Sequence, residues 1–215
     1  MHATALLLLV ALGADAPGAT LHLDAVPAGD GVRVKVAKQG LFSAFAHDHD
    51  FEVTRWRGTV ELPAGDPARA TVELVFAADS LRDREKGLSE GDRHKVEGQA
   101  AGPAVLDAGR FPEITFRADR ADVDPGSASD GGHLRGVLHG LLTLHGVTRP
   151  VEARFEATRE GEAWHARGGA RLRQSEFGIK PFSGAGGTVG VKDELEVKFD
   201  LALRPGEARA AERTP

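Results

Sequence analysis

Apolar residues recur at every second position through most of this chain. Leu21, Leu23 and Ala25 alternate with His22 and Asp24, and Val32, Val34 and Val36 with Arg33 and Lys35. Val72, Leu74 and Phe76 are interleaved with Glu73 and Val75, and Leu195, Val197, Phe199, Leu201 and Leu203 with Glu196, Lys198, Asp200 and Ala202. Successive side chains of a strand point to opposite faces, so a period of two marks strands with one face buried. The stretch Gly140-Leu-Leu-Thr-Leu-His-Gly-Val-Thr-Arg-Pro-Val151 adds a hairpin. Leu142 and Leu144 flank Thr143, Gly146 supplies the turn, Pro150 sets the backbone, and Val151, Ala153 and Phe155 resume the alternation. Runs end at Gly, Pro or Asp clusters such as Pro63-Ala-Gly-Asp-Pro67. This is the pattern of antiparallel sheet with one greasy face. Many such strands must curl and close to hide their edges. The predicted fold class is all-β with a short helical connection, closed as an antiparallel β-barrel.

One segment breaks the rhythm. From Ser80 to Ala108 the chain is charged, carries Arg82-Asp-Arg-Glu-Lys86 and shows no alternation. Ser80 is read as the cap of a short helix with Asp83 and Arg84 in its first turn, and Asp92 to Gln99 as a second helical turn. Gly98, Gly102 and Pro103 argue against one long helix. The connection is expected to lie across one end of the sheet.

The chain ends bound the domain. Ala5-Leu-Leu-Leu-Leu-Val-Ala-Leu12 is too short to span a bilayer, and Ala14-Asp15-Ala16 has cleavage-site spacing. Residues 1–16 are therefore expected to be a cleaved signal peptide, making the protein periplasmic or secreted. Residues 20–204 form the barrel, and the polar stretch 205–215 a disordered tail. With 215 residues, one domain is expected. The net charge of −5, with basic residues scattered, offers no stripe for nucleic acid. The absence of cysteine excludes disulfides, thiolate metal sites and a thiol nucleophile. No G-x-S-x-G elbow, H-E-x-x-H helix or P-loop occurs. The glycine run Gly184 to Gly190 leads into a strand rather than a helix, so it reads as a hairpin connection and not a nucleotide loop.

Three motifs carry a resemblance. Asp107-Ala-Gly-Arg-Phe-Pro-Glu-Ile-Thr-Phe116, the Gly140–Val151 hairpin, and Arg173-Gln-Ser-Glu-Phe-Gly-Ile179 followed by Lys192-Asp-Glu-Leu-Glu-Val197 occur in that order. Together they resemble the signature elements of the YceI-like family. The resemblance implies a lipocalin-like antiparallel barrel, exported to the periplasm, holding a polyisoprenoid such as a prenyl quinone or polyprenyl phosphate. It implies no enzyme activity and no cofactor beyond the bound lipid.

Candidate ligand-contacting residues follow. Phe42, Phe45, Phe51, Trp56, Phe76, Phe111, Phe116 and Phe177 supply aromatic surface near the motifs, and Leu142 and Leu144 lie on the apolar phase of the hairpin. Phe182 belongs to the same aromatic inventory. His47 and His49, two apart, face one way on a strand and suit a polar mouth that contacts a headgroup. The same pair could open a metal site for an enzyme, with a third ligand from His94, His139 or His145, since zinc needs at least three protein ligands. His145 otherwise reads as a hydrogen-bonded turn residue. Arg173 has the fork geometry to neutralise a phosphate, or it pairs with Asp193 or Glu194. Two function classes stand beside the carrier: a metal-assisted enzyme, and an envelope stress or interaction protein with no functional ligand. Transient membrane contact and a homodimer fit the carrier.

Overall fold

The computed structural model describes residues 20–39, 48–127, 131–184 and 189–206. In chain order its strands are β1 (Thr20–Gln39), β2 (His49–Val53), β3 (Trp56–Pro63), β4 (Thr71–Ala77), β5 (Leu81–Asp83) and β6 (Glu113–Val123). They continue as β7 (His133–Leu144), β8 (Val147–Glu160), β9 (Ala163–Arg173), β10 (Ser183–Gly184) and β11 (Val189–Pro205). One helix, α1 (Glu90–Ala101), lies between β5 and β6. Strands β1, β3, β4, β6, β7, β8, β9 and β11 follow one another around a ring that β11 closes onto β1. Every pair is antiparallel. This is the lipocalin-like barrel, and closure removes the free edges that an open sheet would expose.

Two of the predicted strands are one. Leu21–Ala25 and Val32–Val36 both belong to β1, which bends at an irregularity between Pro27 and Gly31. Before the bend the inward side chains are odd-numbered, and after it even-numbered. A strand whose inward phase slips by one needs a bulge, and Gly29 (φ +49°) and Gly31 (φ +63°) take the backbone that an L side chain resists. The first half of β1 pairs with β3 and the second half with β2. A small flap, β2 with β5, therefore extends the wall at one end of the barrel.

The hairpin Gly140–Val151 forms as read. Leu144 pairs with Val147 across His145 (φ +51°) and Gly146 (φ +74°). Two successive positive φ angles give the tight turn whose twist matches the strands. The helical segment differs from expectation at its start. Leu81–Asp83 is strand β5, and Ser80 is a fully buried residue whose hydroxyl donates to the Ala77 carbonyl at 2.8 Å. The helix cap is Ser89, whose side chain accepts the Asp92 N–H at 3.1 Å. Backbone pairing of β5 to β2 outweighed the local charge pattern. Gly98 sits inside α1, and Gly102 ends it.

The alternating topology assigns the connections to two ends. The β3–β4, β6–β7 and β8–β9 links lie at one end, and the β7–β8 hairpin, the β9–β11 connection and the flap with α1 at the other. At the first end a short 3-10 turn, Pro67–Arg69, packs against β6. Ser183 and Gly184 pair with Gly190 and Val189, so the glycine run joins two antiparallel strands as expected.

Candidate functional site

The inward faces of the strands meet in an internal cavity of about 290 Å³. Its wall takes Val32, Val34 and Val36 from β1, Val72, Leu74 and Phe76 from β4, and Val151, Ala153 and Phe155 from β8. Leu195, Val197, Phe199, Leu201 and Leu203 of β11 complete it. The apolar phases seen in the sequence are thus the bore of the barrel. Open space survives at the centre because inward positions on two neighbouring strands are small: Ala153 and Ala157 on β8, and Ala166 and Ala170 on β9. Gly168 between the last two makes room for the Phe199 ring, which would lie 2.5 Å from a Cβ there. Gly140 has the same role beside Phe116, whose ring would lie 2.6 Å from any Cβ placed there. Among the described residues of the wall only Gln174 carries an amide, and none carries a charge.

Five candidate residues line this space: Phe51, Phe76, Phe116, Leu142 and Leu144. Four others are placed elsewhere. Trp56 starts β3 on the inward phase but stacks on Phe76 (ring centroids 6.2 Å apart) beyond the cavity wall. Phe111 precedes β6 and clamps the hairpin, meeting His145 edge-on at 5.2 Å with the Arg110 guanidinium over its ring at 5.0 Å. Phe177 is 1% exposed and packs in the core beside the turn Gln174–Phe177, off the cavity wall. Arg173 points to solvent, because Leu172 beside it takes the inward phase. Its register partner is Glu194. Phe182 is 48% exposed. Phe42, Phe45 and His47 lie outside the described residues, as do residues 1–19 and 207–215.

His49 stands at the rim. It shares a face with Phe51, whose ring is 5.7 Å away, and pairs in register with the wall residue Val36. Its Nδ1 meets Asp83 Oδ2 at 2.6 Å, and the Asp83 carboxylate is wholly buried. Asp83 also accepts the Glu85 N–H at 2.9 Å, while its own N–H donates to Glu97 Oε1 at 3.0 Å. The Arg93 guanidinium donates to the Asp83 and Glu85 carbonyls. Asp83 therefore ties the flap, the rim histidine and α1 together. Ala100 of α1, followed by Val105 and Leu106, closes over the cavity from that side. Replacing Asp83 by alanine strands the Glu85 N–H and the His49 Nδ1. The expected loss is about 3 kcal/mol of unfolding free energy, checked by urea denaturation with helix and flap followed by hydrogen exchange.

Among the described residues no group of three His, Asp or Glu side chains is placed to hold a metal ion. His94 is exposed on α1, His139 lies on the outer face 2.7 Å from Asp122, and His145 occupies the turn, its Nδ1 3.3 Å from the Phe177 carbonyl. The turn-residue reading of His145 is the one the structure shows.

The Gln174–Phe177 turn is pinned from outside. The Ser175 hydroxyl and N–H donate to Asp193 at 2.6 and 2.8 Å. These bonds, with the nearby Arg173 charge, hold the Asp193 carboxyl below the usual carboxylate range. A depressed folded pKa means stability that is complete above the unfolded value, about 3.9, and lost as pH falls through the folded one. Asp193→Asn should therefore be less stable than the parent at neutral pH, with the gap closing toward pH 2 in denaturant titrations.

Several wall residues escaped the sequence reading: Phe155, Phe199, Trp164 and Gln174. The first two sat on phases already recognised. Trp164 opens the alternation Trp164, Ala166, Gly168, Ala170, Leu172, whose inward side chains are too small to register as a hydrophobic run. Gln174 gave no signal.

A family model described as the YceI-like domain matches residues 29–203. The chain belongs to the YceI-like family. Curated relatives include a UPF0312 protein of Vibrio campbellii, 27% identical over 208 residues that cover 91% of this chain and 96% of the relative. Another, from Pseudomonas savastanoi pv. phaseolicola, is 28% identical over 157 residues, 67% of this chain and 69% of that one. Among solved structures, Burkholderia cenocepacia BcnA superposes with a TM-score of 0.57 at 16% identity, covering 80% of this chain and 95% of its own. A polyisoprenoid binding domain from Saccharophagus degradans gives 0.56 at 11% identity, covering 87% and 100%. At these identities the structural likenesses establish the YceI-like barrel fold.

Proposed function

We propose that this YceI-like protein is an exported, non-enzymatic carrier that encloses a polyisoprenoid lipid of the prenyl-quinone or polyprenyl-phosphate type. The observation that carries the reading is the continuous, uncharged wall of the 290 Å³ cavity, to which every strand of the ring contributes inward residues. A shared fold with a solved polyisoprenoid binding domain supports the ligand class. The apolar run Ala5–Leu12 with the small residues after it supports export.

The energetics suit a chain-like guest. Each buried CH₂ contributes about 0.8 kcal/mol. An inserted stretch of about fifteen carbons thus offsets an association cost of roughly 4–15 kcal/mol. The cavity lies at the lower edge of the usual range of about 300–1,000 Å³ for ligand pockets. A long tail therefore fills the bore with only part of its length and leads out at the α1 end. Loading takes a transient contact with a membrane.

The test is the mass of the co-purifying guest. Protein isolated from its own cell envelope should release, on organic extraction, a lipid whose fragments carry prenyl repeats, and native mass spectrometry should show that mass bound one to one. Protein that is empty in both assays, and that takes up no prenyl lipid from vesicles, rejects the carrier. Residue 1 found intact as the N-terminus of envelope-derived protein rejects the cleaved export signal.

A further inference from the structure

Beside β5 the ring of strands is interrupted. β5 pairs with β2 along one side and stands at the edge of the sheet on the other. β6 begins only at Glu113, opposite Ala77 of β4, and does not run on alongside β5. The gap is filled by α1 and the segment after it, which bring Ala100, Val105 and Leu106 to the cavity wall, while β5 brings Leu81.

The join between α1 and β5 is a latch of polar side chains. An edge strand carries unpaired N–H and C=O groups, and α1 supplies partners for them. The Arg93 guanidinium donates to the carbonyls of Asp83 and Glu85, the latter at 2.9 Å. Glu97 accepts the Asp83 N–H at 3.0 Å and meets the Arg82 guanidinium at 3.9 Å. Arg93 and Glu97 are four residues apart, so one face of the helix carries the whole latch. Apolar burial adds little, because none of the twelve residues of α1 is buried. Water replaces each latch bond on separation, so parting α1 from β5 costs far less than opening a strand ladder over the core. The other end of the bore is covered differently. There the Pro67–Arg69 turn leads into Ala70, 8% exposed, and Pro67 and Ala70 both sit on the cavity wall.

The helix also contains a pivot. Its last turn is fixed: Leu106 and Ala108 donate their N–H groups to the Ala100 and Ala101 carbonyls at 3.1 and 3.0 Å. Leu106, 7% exposed, packs in the core with Phe116 and Leu144. Gly98 lies between this fixed turn and the latch residues. A Cβ at Gly98 would meet nothing within 4 Å, so packing does not require a glycine there, and glycine weakens a helix interior. We infer that α1 is a hinged door: residues 90–97 lift from β5 about Gly98, and the lipid passes in and out through the gap this opens. The inference rests on the carrier reading and supplies its route of loading.

The experiment follows a prenyl quinone moving from phosphatidylcholine vesicles into the full chain, read by quenching of tryptophan fluorescence, since Trp164 lines the cavity. Release is followed into an excess of empty vesicles. Gly98→Ala should slow uptake and release alike by about two- to fivefold, the degree to which alanine favours a helix over glycine. The amount bound at equilibrium should stay the same, and the melting temperature should hold or rise. A purely structural role for Gly98 would leave both rates unchanged. The second variant uses the absence of cysteine from the chain. Arg82→Cys/Glu97→Cys can be bridged with a bis-methanethiosulfonate linker and freed again by reductant. The bridged protein should transfer quinone at least about tenfold more slowly than the same protein reduced, and the reduced form, which lacks the Glu97 latch, faster than the parent. Parental rates in Gly98→Ala, or equal rates in the bridged and reduced forms, overturn the door and leave the carrier standing. A parent that takes up neither the quinone nor a polyprenyl phosphate removes the carrier, and the door with it.

Discussion

Ala166→Phe yields a folded barrel that no longer retains lipid. Ala166 pairs in register with Ala157 on the neighbouring strand β8, and both line the cavity with small side chains. A phenyl ring there occupies space the guest needs and adds apolar contacts of its own. In a filled core the extra atoms would cost about 1–3 kcal/mol, whereas in an open bore they find room. The melting temperature should therefore hold or rise, and retention of an extracted or added prenyl lipid should fall by at least about tenfold, equivalent to about 1.4 kcal/mol. Ala157→Phe is expected to behave alike. A well-folded Ala166→Phe protein carrying its usual complement of lipid would place the guest outside the bore.

Phe116→Asp should have the largest effect on stability. The ring is 8% exposed, packs over Gly140 and forms part of the cavity wall. Removing a buried phenyl group costs about 3–5 kcal/mol, and the new carboxylate adds a charge to a wall that has none. Urea unfolding should show a loss of about 4 kcal/mol or more, and any folded remainder should hold no lipid. Leu144→Asp follows the same reasoning at the hairpin end. Leu141→Asp is the control: Leu141 is 54% exposed on the outer phase of the same strand, and its replacement should change stability by no more than about 0.5 kcal/mol. Alternate positions of β7 thus differ by several kcal/mol in what a carboxylate does. Equal losses at Leu141 and Leu144 would contradict the assigned faces.

Much of the site was readable because alternation and burial are one fact seen twice. Every apolar phase named from the sequence on β1, β4, β8 and β11 faces the interior, and Phe51, Phe76, Phe116, Leu142 and Leu144 fall on the wall. Proximity to a motif was a poorer guide. Phe111, Trp56, Phe177 and Arg173 stand close to motifs, yet two clamp neighbouring rings, one plugs the core and one meets solvent. Counting large aromatics also hid the strand that leaves the space. The inward residues of β9 between Trp164 and Leu172 are alanine and glycine, and small side chains leave no mark on a hydrophobic profile. Asp83 shows the opposite failure. Among Arg82, Arg84, Glu85 and Lys86 it reads as one more solvated charge, yet it is the buried acceptor on which flap, rim and helix converge.

Taken alone, the order of residues determined the strand faces, the tight turn at His145–Gly146 and membership of an antiparallel barrel, since each follows from neighbours within a few positions. Only the closed ring decided that β11 meets β1, that small residues of β8 and β9 lie side by side on the cavity wall, and that the Trp164 indole is left without an acceptor. Those outcomes depend on groups far apart in the chain, brought together by burial that no local window can register.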